Sequence, residues 1–333
     1  MAGALNLPEG VTVVGERAFY NCSKLTSLTL PSTLTTIGSY AFYSCSSIAG
    51  TITIPSKVTS FGSNAFQNCT GINGSIIIES GVTNIGNYAF NGCSNATGAL
   101  NIPGTVTSFG SYAFAGCSKL TSLTIESGVT SIGSNAFNNC DGLTGTIDIP
   151  GTVTSIGSYA FYDCDGIKKV LTNTGLTSIG TYSFQGCGAL TVVYIAGSVT
   201  SISASSKTYA PFYNCTSSLK IYCGASSKPS GWGSYWNYRS NNYTCTTTWN
   251  CTRDTSGNIK NSSGTILASA TSDGTNNIFV IATIGSLGDG KLDAIDVLLT
   301  VLILGSVVCM GYVFVYDANK KAANKQNIFK RKE

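Results

Sequence analysis

The groups able to do chemistry in this chain are thirteen cysteines and fifteen carboxylates, with no histidine among its 333 residues. Without imidazole there is no histidine general base, no Ser-His-Asp triad and no His-ligated metal. Nine cysteines, Cys22, Cys45, Cys69, Cys93, Cys117, Cys140, Cys164, Cys187 and Cys215, recur every 23 or 24 residues, the last interval being 28. Zinc needs four ligands converging from short spacings. Equal long spacings instead place one thiol per turn on a single line, a ladder of buried groups acting as small apolar residues. Cys223, Cys245 and Cys251 follow the ladder, and a disulfide is expected there if the region is extracellular. The pairing expected is Cys223–Cys245, with Cys215 a further candidate partner.

Among the carboxylates, Glu79, Glu126, Asp141, Asp148, Asp163 and Asp165 are scattered, whereas acid catalysis needs two brought together. Asp141 and Asp165 follow Cys140 and Cys164 on equivalent loops and read as solvated turns. There is no Gly-rich phosphate loop and no nucleophile elbow. Asp289-Gly290-Lys291-Leu292-Asp293 through Asp296 is similar to half of a calcium loop. Gly285 and Leu287 stand where its leading acids belong, so too few oxygens are offered. The expectation is a protein without enzymatic activity, cofactor or metal.

The elements that carry these groups repeat. A unit written L-T-x-L-x-L-P-x-x-V-T-x-I-G-S-Y-A-F-x-x-C runs along two thirds of the chain, with its Phe at Phe19, Phe42, Phe66, Phe90, Phe114, Phe137, Phe161, Phe184 and Phe212. In Leu25-Thr26-Ser27-Leu28-Thr29-Leu30, period-two alternation turns Leu28 and Leu30 inward and Ser27 and Thr29 outward. Pro31 ends that strand. A second extended piece, Leu34 to Ile37, stops at Gly38, and Gly recurs at 62, 86, 110, 133, 157 and 180, read as supplying a backbone angle other residues resist. A unit this small cannot bury its apolar face alone; stacked copies can. The fold expected is a β-rich solenoid, nine coils at about 4.8 Å making a rod roughly 40 Å long.

The run from Leu25 through Ile37-Gly38, Ala41-Phe42 and Cys45, repeated to Cys215, resembles the BspA-like leucine-rich-repeat family of bacterial and protist surface proteins. The resemblance covers roughly residues 5–223. It implies a leucine-rich-repeat arc with one parallel sheet on its concave side, surface display and binding or adhesion roles, and it carries no catalytic residues over. Phe42, Phe66, Phe90, Phe114, Phe137 and Phe161, with Cys45 through Cys164, are the repeat core.

Beyond residue 223 the composition changes. Aromatic residues from Trp232 to Tyr238 predict a C-terminal cap over 224–252, and a Ser/Thr/Asn-rich stretch predicts a linker and juxtamembrane segment over 253–294. Val297 to Tyr316 holds 20 residues without a charge, the length that crosses a bilayer core. A single transmembrane helix is therefore expected over 295–316, after a shorter apolar run at Ile278–Leu287. The tail, 317–333, carries six Lys/Arg and two Asp/Glu, so the whole net charge of +4 sits there and residues 1–316 sum to zero. Basic residues beside a span mark its cytoplasmic side, which would put the repeats outside the cell. Met1 to Leu7 shows no signal peptide, so the competing arrangement is a tail anchor with cytosolic repeats. A neutral repeat region also lacks the basic face that nucleic acid requires.

Asn-X-Ser/Thr sequons occur at Asn21, Asn68, Asn73, Asn95, Asn214, Asn242, Asn250 and Asn261; a chain this rich in Ser, Thr and Asn generates them by chance. The outward rows of the long strands read Ser27, Thr51, Ser75, Ala99, Ser122, Thr146, Lys169, Val192 and Thr29, Thr53, Ile77, Asn101, Thr124, Asp148, Leu171, Tyr194. The face is mostly small and neutral. Polarity gathers only where Asp148, Lys168, Lys169 and Tyr194 cluster, and these, with Asn101, are the expected ligand-binding residues. Tyr40, Tyr88, Tyr112, Tyr159 and Tyr182 form a row read as packing over a coil edge. The function expected is cell-surface binding or adhesion to a protein or glycan ligand. The competing one is self-association, an end-to-end stack of uncapped coils forming fibres.

Overall fold

The computed structural model describes residues 2–240 and 242–269. The expected transmembrane helix, the apolar run at Ile278–Leu287, the Asp289–Asp296 loop, Cys309 and the basic tail lie outside these residues. Among the described residues no helix is long and apolar enough to cross a membrane.

The described chain is a parallel β-solenoid of about eleven turns. Each coil has one longer strand, beginning with Ala2–Asn6 and Lys24–Thr29 and continuing through Ile52–Ile54, Ile76–Ile78, Gly98–Ile102, Leu120–Ile125, Gly145–Asp148, Ile167–Leu171, Val192–Ile195, Lys220–Cys223 and Thr246–Thr248. Coils are numbered one to eleven by these strands. Neighbours pair in parallel, as with Ile52↔Ile76, Thr53↔Ile77 and Ile54↔Ile78. Alternation buries Ile76 and Ile78 and leaves Ile77 out. A second parallel sheet of two-residue strands, such as Ser108–Phe109, Ser131–Ile132 and Ser155–Ile156, closes another side of the coil.

Between the two sheets lies the core. The Phe rings from Phe19 to Phe212 form one continuous stack, with centroids between 5.0 Å (Phe42–Phe66) and 5.9 Å (Phe184–Phe212). Their backbones are tied across coils, Phe114 N–H donating to the Ala136 carbonyl at 2.9 Å.

The recurring Gly of the Ile-Gly corner has a reason other than the one expected. Gly38, Gly62, Gly86, Gly110, Gly133, Gly157 and Gly180 do not have positive φ. A Cβ on Gly157 would lie 2.5 Å from the Ser134 nitrogen and 2.7 Å from the Gly133 carbonyl carbon. Close approach of the preceding coil excludes the side chain. The left-handed conformation sits two residues on instead, at Tyr40, Asn64, Tyr88, Tyr112, Asn135, Tyr159 and Tyr182, with φ from 57° to 61°. Stacking along the edge offsets that strain, as in Tyr88–Tyr112 at 4.7 Å and Tyr159–Tyr182 at 4.3 Å.

The last coils end in aromatic bulk. Trp232 is buried, bridges to Ile202 and donates from its indole nitrogen to the Val199 carbonyl at 3.0 Å. Trp236 meets it edge-on at 4.6 Å. Residues 252–268 depart from the linker expected. They fold into an antiparallel sheet of Thr252–Arg253, Ile259–Lys260 and Ile266–Ala268. Two turns with Gly257 and Gly264 at φ 82° and 84° join its strands.

The core predicts a sharp contrast between glycines. Gly157→Ala should lower stability by about 1–3 kcal/mol, as overpacking does, read as a fall in the urea midpoint. Gly15→Ala, where a Cβ meets nothing within 4 Å and φ is not positive, should leave that midpoint unchanged.

Candidate functional site

The cysteine ladder holds nine of the thirteen thiols. Eight thiols, Cys45 through Cys215, each donate to the Phe carbonyl one coil back, over 3.0 Å (Cys45 to Phe19) to 3.3 Å (Cys117 to Phe90). That same carbonyl accepts the N–H of its own coil's Cys, as Phe90 does from Cys93 at 3.1 Å. Burial pushes the thiols up, Cys45 to about 11 and Cys140 and Cys187 to about 12. Thiolate chemistry is closed to them at neutral pH.

The Cys223–Cys245 disulfide does not fit the register. Lys220 lies opposite Thr246 and Tyr222 opposite Thr248. Cys245 is thus level with Leu219, four residues from Cys223 along the strand, about 13 Å at strand rise and beyond disulfide reach. Cys223, Cys245 and Cys251 are free thiols.

The scattered carboxylates serve the coils. Glu79 accepts the Ser56 N–H at 2.9 Å. Glu126 accepts from the Asn101 side-chain amide at 2.6 Å and from the Gly104 N–H at 3.0 Å, and these two donors hold its carboxyl below the usual range. Asp165 accepts the Gly188 N–H at 3.2 Å. Burial and the neighbouring Asp165 raise the Asp141 carboxyl. Among the described residues no group of acidic or sulfur ligands could hold a metal ion.

The long-strand sheet offers the remaining surface. Over coils two to seven its outward rows are open: Thr29, Thr51, Ala99, Asn101, Ser122, Thr124, Thr146 and Asp148 are exposed, and Ile77 is 44% exposed. A shallow groove of about 620 Å³ lies on coils six to eight, between Thr124, Ser127, Thr146, Asp148, Asn173 and Thr174.

From coil eight the face changes character and is covered. Asp148, Leu171 and Tyr194 follow one another in register, and Tyr222 continues the row. Leu171, Tyr194 and Tyr222 are buried with Ile259 and Cys251 beneath the terminal sheet, in an apolar cluster separate from the solenoid core. Lys169 is 3% exposed, and its ammonium donates to the Ser269 carbonyl at 2.7 Å. Asp148 is held by the Arg253 guanidinium, with one contact at 2.9 Å and a second to its other oxygen. Arg253 also reaches Asn173 at 3.2 Å. Lys168 is the residue skipped between Gly145↔Ile167 and Thr146↔Lys169, a bulge off the row.

The structure thus brings Asp148, Lys169 and Tyr194 together and fills the space before them with its own chain. In this structure the cluster is covered rather than open; of the five residues, Asn101 and Asp148 are exposed on the open rows, Asp148 with its carboxylate held by Arg253. Sequence reasoning missed Arg253 and Asn173. The signal was present in the turns Asp254-Thr255-Ser256-Gly257 and Asn261-Ser262-Ser263-Gly264, evenly spaced between short β-prone pieces.

The model of the BspA type leucine rich repeat region matches in six copies, over residues 3–118 and 83–220. The chain belongs to that family. Solved structures similar to this BspA-type chain include leucine-rich-repeat proteins. One from Bacteroides ovatus is 20% identical, with 74% of each chain covered and a TM-score of 0.47. A cell surface protein from Faecalibacterium prausnitzii is 23% identical over 72% of this chain and 74% of its own, TM-score 0.37. The pneumococcal vaccine antigen PcpA is 16% identical over 78% and 80%, TM-score 0.41. No curated protein matches in sequence. Repeats of the BspA type are generally non-catalytic, and membership suggests a protein-interaction or surface role.

The ladder makes a pH prediction for the BspA-type coil. An unfolded thiol ionises near 9.0 and the folded ones higher. Below pH 9 both states hold their protons and the thiols give no pH dependence. Above it the unfolded state loses protons that the folded state keeps, so stability falls as pH rises towards 12. Thermal melts between pH 8 and 11 should show Tm falling above pH 9, and Cys140→Ala should make that fall shallower.

Proposed function

We propose that this is a non-catalytic binding protein of the cell surface, using the open rows of coils two to seven for adhesion to a protein or glycan. One observation carries the reading: a flat hydroxyl- and amide-bearing face stays open over six coils, while the apolar continuation of the same face is covered. Small neutral side chains allow close approach and present donors and acceptors without steering charge. Binding on such a face comes from area and shape.

The same reading places the repeats outside the cell, held by the 295–316 span with the basic tail inside, where anionic lipid would meet it. Stacking of coils end to end into fibres fits less well, because Trp232, Trp236 and Trp249 already pack over the last coils. Surface biotinylation of intact cells should label the repeats; label appearing only after permeabilisation would reject this orientation.

Ligand capture is tested with the full chain in detergent micelles against glycan, protein and matrix-component arrays. Ser122→Arg and Thr146→Arg, both on exposed positions, should weaken a captured ligand at least tenfold while leaving the urea midpoint within error. Unchanged binding in both variants would move the ligand surface off these rows.

A further inference from the structure

The terminal sheet is fastened to the solenoid in an unusual way. Its apolar contact with Leu171, Tyr194 and Tyr222 forms a cluster of its own, so lifting the sheet leaves the Phe and Cys stacks intact. Its strands are two or three residues long, too short to be stable without the face beneath. Around that cluster the fastenings are polar: Arg253 on Asp148, whose side chain is 52% exposed, and Lys169 on the Ser269 carbonyl. The Arg253 guanidinium is not fully served, although both its terminal nitrogens are bonded. Its Nε is buried without an acceptor among the described residues, and a buried unsatisfied donor opposes the closed position.

The face beneath is built to hold polypeptide. The Tyr194 hydroxyl donates to the Cys251 carbonyl at 3.4 Å and the Tyr222 hydroxyl to the Leu267 carbonyl at 3.5 Å. With Lys169 on Ser269 these are three contacts to main-chain carbonyls, which any extended peptide can supply. Side-chain selection falls to two features: Asp148, which grips a guanidinium, and the Leu171-Tyr194-Tyr222 strip, which packs Ile259, Leu267 and Ala268.

From this juxtaposition we infer that the terminal sheet is a displaceable cover, occupying a second peptide-binding strip of Leu171, Tyr194 and Tyr222 flanked by Asp148 and Lys169. The partner it fits is an extended peptide carrying an arginine beside aliphatic residues, in competition with Arg253 and the cover. This strip meets the open rows only at Asp148, and its tests, exchange and binding of the chain's own segment, are read independently of the array screen.

Amide hydrogen exchange on the full chain in detergent micelles gives the first test. Amides of Thr252 to Ala268 should exchange at least tenfold faster than those of Leu120 to Ile125; equal protection would mean a permanent cap and overturn the proposal. The second uses a synthetic peptide of residues 251–269 carrying Cys251→Ser. It should bind Arg253→Ala chain at least tenfold more tightly than wild type, and Asp148→Asn added to that variant should reverse most of the gain. Equal binding to wild type and Arg253→Ala would reject the strip. Should Arg253→Ala fail to fold, the exchange measurement on wild type decides alone.

Discussion

Parallel backbone pairing from coil to coil is the constraint on which the rest depends. Strands in a ladder stand about 4.8 Å apart, and every group repeated once per coil must be stable against a copy of itself at that distance. Few side chains meet that condition in a core. Flat phenyl rings do, with Phe42 and Phe66 at 5.0 Å and 16° between planes. A thiol does so through a donor and an apolar surface in one small group, reaching the carbonyl of the coil behind. At the Ile-Gly corner the approach is closer still and only hydrogen fits.

That constraint also explains why the chain is so poor in charge. A charge repeated at the ladder spacing on every coil would repel its copy along the whole rod. Several charged groups are used between coils: Glu79 on the Ser56 amide, Glu126 on Asn101 and Gly104, Asp165 on Gly188. Glu79, Glu126 and Asp165, three of the scattered acids, are therefore main-chain acceptors between coils. Asp141 and Asp165 stand on adjacent coils, and there burial and the second carboxylate do raise the first.

Where a feature repeats, the sequence shows it; where it occurs once, it does not. Nine copies of Phe-x-x-Cys make the coil period, the inward rows and the buried thiols legible from spacing alone. The Gly position was legible and its cause was not, because a steric contact between residues 23 or 24 apart leaves the same mark as a backbone angle. The terminal sheet was hidden for a related reason. Its polar turns and two-residue strands share the composition of a linker, and its stability comes from Leu171, Tyr194 and Tyr222, far away in the chain. Those three residues carried the clue: consecutive apolar side chains on an outward row whose earlier coils hold a single one, Ile77.

The point at which the outward row turns apolar is therefore the most informative position on the solenoid. Up to coil seven the face can remain in water at little cost, since hydroxyls and amides satisfy themselves there. From coil eight it cannot, because adjacent aliphatic and aromatic side chains at ladder spacing make a contiguous apolar patch. Asp148 stands at that boundary, still half in solvent and already bound to Arg253. A structural cap would need only the apolar contact. An ion pair placed at the open margin adds modest energy and adds discrimination, since it admits a guanidinium and rejects a carboxylate. That choice of residue is better explained by a surface that selects among peptides than by one that is merely closed.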